Sequence, residues 1–193
     1  MEGISTFWQD GAVSGNGKYF NINSNEKVRY IQTPYDEKIS SANARLNKTY
    51  LGYGRQGHSK KMNQEKQDIN ASSISQSNQV ERTISKSKSS AYKNTEWDLV
   101  DKVADDKDFI ENAKDEDLPT ELKGKSKEEK KLIVEGKSKE RAIIQKEIAD
   151  LAQKRELFIQ SELKKSTAKS GDDLGKAMEI SIDAIGGKLG YKK

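Results

Sequence analysis

The chain has 193 residues, 32% hydrophobic and 34% charged, with mean hydropathy of -0.97, a composition on the polar side of globular averages that argues against one compact core over the whole length. It has no cysteine, which excludes disulfides and thiol chemistry, and no apolar run long enough to span a bilayer. The net charge of +4 is unevenly placed: Lys38 to Lys93 holds 11 Lys+Arg against 3 Asp+Glu, while the two signs balance from Asp101 onward.

Met1 to Ser5 has neither a basic n-region nor an apolar h-region, so no export signal is expected in this chain. Gly3 to Gln9 reads as the last turns of a helix with Ile4, Phe7 and Trp8 on one side, and Asp10 to Gly17 as loop. Lys18-Tyr19-Phe20-Asn21-Ile22 reads as a short strand, with Phe20 and Ile22 on one face. Five residues cannot satisfy a strand's own backbone, so this element is expected to be an exposed edge and the least stable part of the chain.

Asn25 to Ile31 is a short helix candidate. Thr33-Pro34-Tyr35-Asp36-Glu37 starts another, with Thr33 as cap, proline at the first helical position and acids in the first turn. Ile39, Ala42, Leu46 and Tyr50 keep one face of that helix to its end near Gly52. From Ser59 to Ser90 serine, asparagine, glutamine and lysine dominate, and a polar helix is expected there with Met62, Ile69, Val80 and Ile84 as its sparse apolar positions. Glu96 to Ala104 is a short amphipathic helix with Trp97, Val100 and Val103, capped by Thr95. A turn at Phe109-Ile110 follows, then a break at Leu118-Pro119.

The strongest helical signal runs from Ser126 to Ser166. Ser126-Lys127-Glu128-Glu129 is a capping box, and Val134, Ile144, Ile148, Leu151 and Phe158 recur at helical spacing. Glu135 with Lys139 and Asp150 with Lys154 are acid-before-base pairs, each contributing about 0.2 to 0.5 kcal/mol. The stripe is narrow and the charge dense, so one neighbour is expected along it, the Glu96 to Ala104 helix through Trp97 and Val100, with the rest in water. Leu174, Met178, Ile182 and Ile185 form a last helix, stopped by Gly186-Gly187.

Several motifs carry chemistry elsewhere. Gly52-Tyr53-Gly54-Arg55-Gln56-Gly57 matches the G-x-G-x-x-G string that cradles a pyrophosphate, but that string needs a preceding strand in a parallel sheet, and a flexible connector is the preferred reading. Gly124-Lys125-Ser126 and Gly136-Lys137-Ser138 resemble the end of a P-loop, yet Pro119 and Lys131 stand where its first glycine belongs. His58, the sole histidine, reads as a solvated loop residue. Asp105, Asp106, Asp108, Asp115, Glu116 and Asp117 lack the spacing of a calcium loop and read as acid-rich helix starts. No catalytic, cofactor-binding or metal-binding residue is assigned, and no cofactor is expected. The basic excess between Lys38 and Lys93 is the footprint a nucleic-acid binder would leave, although a solvated, weakly helical face is the preferred reading, since serine and asparagine alternate with the cations and few aromatics stand among them.

Phe7-Trp8-Gln9-Asp10, Gly17-Lys18-Tyr19-Phe20-Asn21-Ile22, Thr33-Pro34-Tyr35-Asp36, Leu46-Asn47-Lys48-Thr49-Tyr50 and Tyr53-Gly54, taken in order, resemble the end of the domain in bacterial von Willebrand factor type A (VWA) proteins. Trp97-Asp98-Leu99-Val100-Asp101, Glu116-Asp117-Leu118-Pro119 and Lys139-Glu140-Arg141-Ala142-Ile143-Ile144-Gln145 resemble the helical tail after that domain. The resemblance implies a doubly wound sheet whose D-x-S-x-S motif, with a later Thr and Asp, holds a divalent cation. No aspartate here has a serine two residues on, so no metal residue carries over.

The expectation is therefore a mainly α chain: an elongated helical tail with a remnant α/β edge of one or two short strands. Residues 1–54 would be the domain remnant, 55–125 a basic polar helix, linker and short helices, and 126–193 the long charged helix, with coiled-coil character, plus a C-terminal helix. The domain core and any export signal would lie upstream of Met1, as for a truncated or split gene product. By resemblance the function would be a non-catalytic protein-interaction or scaffold module with a protein partner. The alternative is a basic helical nucleic-acid-binding protein.

Overall fold

The computed structural model describes residues 7–17, 19, 30–165, 174–188 and 190. Among these are eight α-helices and no strand: α1 (Gln9–Ser14), α2 (Asp36–Asn47), α3 (Gly54–Ile74), α4 (Gln76–Ser87), α5 (Leu99–Asp105), α6 (Phe109–Asn112), α7 (Lys127–Lys165) and α8 (Leu174–Lys188). The expected strand Lys18 to Ile22 lies outside the described residues apart from Tyr19. The expected helix at Asn25 to Ile31 lies largely outside them, and its last two residues, Tyr30 and Ile31, are not helical. By contacts the chain divides into two compact units, one of Ile31–Leu163 and one of Met1–Tyr30 with Lys164–Lys193.

In the smaller unit, α1 occupies part of the stretch expected as loop. The helix closes at Asn16, whose φ of 55° is left-handed, with Gly17 N–H donating to Ala12 O at 2.7 Å and Asn16 N–H to Val13 O at 3.0 Å. That pair of bonds is the Schellman closure, and it lets a helix end at Ser14 rather than at Gln9. α8 runs through Gly186-Gly187 to Lys188 instead of stopping there.

The larger unit is built around α7. Its capping box forms as read: Glu129 N–H donates to Ser126 Oγ at 3.2 Å, and Ser126 N–H donates to Glu129 Oε2 at 2.8 Å. Two apolar clusters line up along it. Ile144 and Ile148 pack with Ile39, Ala42 and Leu46 of α2, Val80 of α4, Tyr50 and Trp97. Val134 packs with Leu99 and Val100 of α5, Ile110, Leu118, Leu122 and Leu51. Tyr50 and Leu51, consecutive in the segment after α2, fall one into each cluster.

The polar stretch expected as one helix from Ser59 to Ser90 is two. Ser75 takes extended geometry (φ -168°, ψ 158°) and its hydroxyl accepts from Asn78 N–H at 3.1 Å, which ends α3 and caps α4. A serine whose side chain replaces a helical bond supplies the break without glycine or proline. The cap of α5 is Asp98, accepting from Asp101 N–H at 3.1 Å, so this helix starts three residues later than a Thr95 cap would place it.

The G-x-G-x-x-G string has a packing explanation. A Cβ on Gly52 would lie 2.6 Å from Gly57 O, and a Cβ on Gly57 would lie 2.6 Å from Gly52 C, so the two backbones touch as they do because neither has a side chain. Gly54 opens α3 with φ of 70°, the left-handed region that glycine enters without steric cost. Before them there is only a single antiparallel bridge, Gly52 to Asp98, flanked by Leu99 N–H donating to Leu51 O at 2.8 Å and Tyr53 N–H donating to Trp97 O at 2.9 Å.

Candidate functional site: three buried charge clusters

Three clusters of buried charge surround the apolar contacts of the larger unit, and two of them are organised by the only arginines of α7. Arg141 Nη1 donates to Asp98 Oδ2 at 2.6 Å and to Asp101 Oδ1 at 2.9 Å. Its Nε donates to Thr49 Oγ1 at 3.0 Å and its Nη2 to Thr49 O at 2.8 Å. The guanidinium also lies 4.1 Å from the centre of the Tyr50 ring, which stacks on Trp97. A planar fork can make these bonds and that face contact together, whereas a lysine ammonium cannot.

Asp98 is fully buried and shared between three jobs: it pairs with Arg141, accepts Leu51 N–H at 2.8 Å and caps α5. Burial pushes its carboxyl up, opposed by Arg141 and the Leu51 amide, and three donors on two oxygens favour the carboxylate. Burial lowers the Arg141 guanidinium, but Asp98 outweighs it and holds the group charged. Burial also pushes the Tyr50 phenol well above its ordinary value, against the pull of Arg141.

Fourteen residues on, four turns of helix bring Arg155 to the same side of α7. Its Nε donates to Asp36 Oδ1 at 2.9 Å and its Nη1 to Glu81 Oε1 at 2.8 Å, tying α7 to α2 and α4. Asp36, fully buried, also accepts from Thr33 N–H at 2.8 Å and Thr33 Oγ1 at 2.9 Å, closing the start of α2. Next to it Tyr35 meets Phe158 edge to face, with ring centres 6.5 Å apart.

The third cluster joins α2, α3 and α4. Asp68 Oδ2 accepts from Lys86 Nζ, from Asn47 Nδ2 at 2.8 Å and from Asn43 Nδ2 at 3.0 Å, and Oδ1 accepts from Arg82 Nε at 2.7 Å. Lys86 Nζ also donates to Asn47 Oδ1 at 2.7 Å, and Gln64 Nε2 donates to that same oxygen at 3.1 Å. Burial raises the Asp68 carboxyl, but the bonds from Lys86, Asn47 and Asn43 outweigh it and hold the group below the usual carboxylate range. Burial pushes the Lys86 ammonium below its ordinary value.

This third cluster also changes the account of the basic segment. Arg82 and Lys86 pair with Asp68, Arg45 with Glu147 at 2.6 Å and Lys93 with Asp105 at 2.8 Å, so four of its cations are drawn into ion pairs. Arg55, Lys60, Lys61 and Lys66 of α3 are spread around the helix at 100° per residue rather than aligned on one face.

The other motifs fall apart as sites. His58 lies on the exposed side of α3, in a helix rather than a loop. Gly124, with φ of 71°, turns the chain into Ser126 while its N–H donates to Asp115 Oδ2 at 2.8 Å, and Gly136 sits in mid-helix with open space beside it. Of the acids in the 105–117 run, Asp105, Asp106, Glu116 and Asp115 pair with Lys93, Lys102, Lys114 and Lys130 in turn, so they are not gathered around one point. Among the described residues no group of three or more His, Cys, Asp or Glu side chains could hold a metal ion, and no helix is long and apolar enough to cross a membrane.

None of the residues in the three clusters was singled out from the sequence as a site. One signal was available: the basic residues of α7 are lysines except at 141 and 155, and both arginines fall on the stripe with Ile144, Ile148 and Leu151. Comparison with family models, with characterised proteins and with solved structures returns no match to the chain.

Proposed function

We propose that the chain is a non-catalytic protein-interaction or scaffold module, the C-terminal portion of a VWA-like protein that lacks the metal-ion-dependent adhesion site. The observation that carries this reading is the Arg141 clasp. Thr49-Tyr50, Trp97 to Asp101 and Arg141 belong to three separate strings that carry the resemblance, and they meet in one contact network. Buried ionisable groups in it are matched with one another, which suits a rigid support for a long helix. On the far side of α7, Leu132, Ile143 and Leu157 are exposed at 68%, 68% and 60%, within about 40° of each other around the helix axis. They offer a partner apolar contacts along a charged rod.

Photo-crosslinking residues placed singly at Leu132, Ile143 and Leu157 test the reading in the cells that make the protein. Crosslinks to one protein from this line, absent from control positions at Lys60 and Ser72 on α3, are expected. An unreactive line would remove the scaffold reading.

A further inference from the structure

The Asp68 cluster holds the complete set of groups needed to join two side chains covalently. An isopeptide bond between lysine and asparagine needs an amine beside a carboxamide, an acid-base group touching both the attacking and the leaving nitrogen, and a donor on the carbonyl oxygen. Here Lys86 Nζ bonds Asn47 Oδ1 at 2.7 Å, which brings the amine alongside the carbon bearing that oxygen. One atom, Asp68 Oδ2, contacts both Lys86 Nζ and Asn47 Nδ2. Gln64 Nε2, 3.1 Å from Asn47 Oδ1, is aimed where negative charge would develop on addition. We propose that Lys86 and Asn47 condense into an intramolecular isopeptide bond, with Asp68 as the proton carrier and Gln64 as the oxyanion donor.

The steps balance without a further reactant. Lys86 gives a proton to Asp68, and the free amine adds to Asn47 Cγ while the carbonyl electron pair moves to Oδ1 beside Gln64. Asp68 passes its proton to Nδ2 and takes one from the newly bonded nitrogen. The oxyanion reforms the carbonyl, the Cγ–Nδ2 bond breaks and ammonia leaves, taking up the remaining proton as ammonium. Lysine ammonium plus carboxamide becomes secondary amide plus ammonium, with nothing oxidised or reduced.

Two features of the site favour the reaction and one sets its pace. Lys86 is only 1% exposed, so water that would hydrate the ammonium or compete for the carbonyl is largely excluded. Among the hydrogen-bonded members Lys86 and Arg82 face the single carboxylate of Asp68, and condensation would leave Arg82 and Asp68 matched one to one. Burial weakens the hold of Lys86 on its proton, but the bonds to Asp68 keep that carboxylate ionised, so the first transfer is uphill and the bond forms slowly after folding. Asn43 reaches Asp68 Oδ2 as well, yet it is Asn47 whose carbonyl accepts from Lys86. The product would staple α2 to α4 across 39 residues in a chain with no cysteine to do so.

Intact mass of the full chain, folded and incubated at physiological temperature for days before denaturation, tests the proposal. The expected result is a mass lower by one ammonia, with a protease fragment in which the Lys86 and Asn47 peptides are joined. Lys86→Met and Asp68→Ala should each keep the full mass. A wild-type chain at its full sequence mass after that incubation overturns the proposal, as does an ammonia loss that survives Lys86→Met, which would belong to imide formation at a site such as Asn16-Gly17. A branched fragment that runs through Asn43 instead also overturns it. The branched fragment is read on the wild-type chain, so the test stands even if a variant fails to fold.

Discussion

Arg141 and Asp98 are 43 residues apart in sequence and 2.6 Å apart in space, and their bond joins the middle of α7 to the cap of α5. Removing the guanidinium leaves Asp98 buried without its counter-charge. Arg141→Ala should therefore cost about 3 to 5 kcal/mol of folding stability. Arg141→Lys should recover only part of it, because an ammonium cannot serve Thr49, Asp98 and Asp101 in one plane. Denaturant unfolding of the two variants checks both, and a lysine variant as stable as wild type would deny the fork its role.

Gly52→Ala and Gly57→Ala should each destabilise by about 1 to 3 kcal/mol, since each new methyl meets backbone atoms that cannot turn aside. The double variant should cost less than the sum, because one separation of the two backbones makes room for both methyls. Thermal melts of the two single variants and the pair measure this coupling.

Acid should weaken the fold through Asp68. Its folded-state pKa lies below the ordinary 3.8, so its contribution is fully present above that value and is lost as pH falls through the folded pKa. Asp68→Asn should lower stability at neutral pH and flatten the decline below pH 3.8. Unfolding curves taken across the acid range would show a steeper limb for wild type than for the variant.

Tyr50 should act at the other end of the scale. Its pKa is raised above the ordinary 10.0, so folding holds the phenol neutral, and its contribution is lost as pH rises past 10.0, where the unfolded chain ionises. Phenolate absorbance should show a tyrosine that titrates only with unfolding, absent in Tyr50→Phe.

Magnesium should find no tight site. The D-x-S-x-S string is missing from the sequence, and calorimetric titration of the chain should give no saturable heat. A saturable, tight isotherm would contradict the assignment of no metal residues.

The sequence by itself determined the elements whose signals are local. The capping box at Ser126 and Glu129, the absence of proline and the spacing of Val134, Ile144 and Ile148 specify α7, because each of these acts within a turn or two of helix. The start of α2 was legible only approximately: Thr33 reads as its cap with Pro34 in the first turn, whereas the helix begins at Asp36 after Tyr35, and Asp36 bonds back to Thr33. What only the tertiary structure decided is what the polar residues are for. Arg141, Asp98, Asp68 and Lys86 read as ordinary members of a charged, solvated surface, and their burial depends on tertiary partners 14 to 92 residues away. The glycines at 52 and 57 read as a phosphate loop or a connector until their backbones met. Hydrophobic periodicity reports which face turns inward, but a buried charge is stable only beside its partner, and that pairing exists only once the helices have assembled.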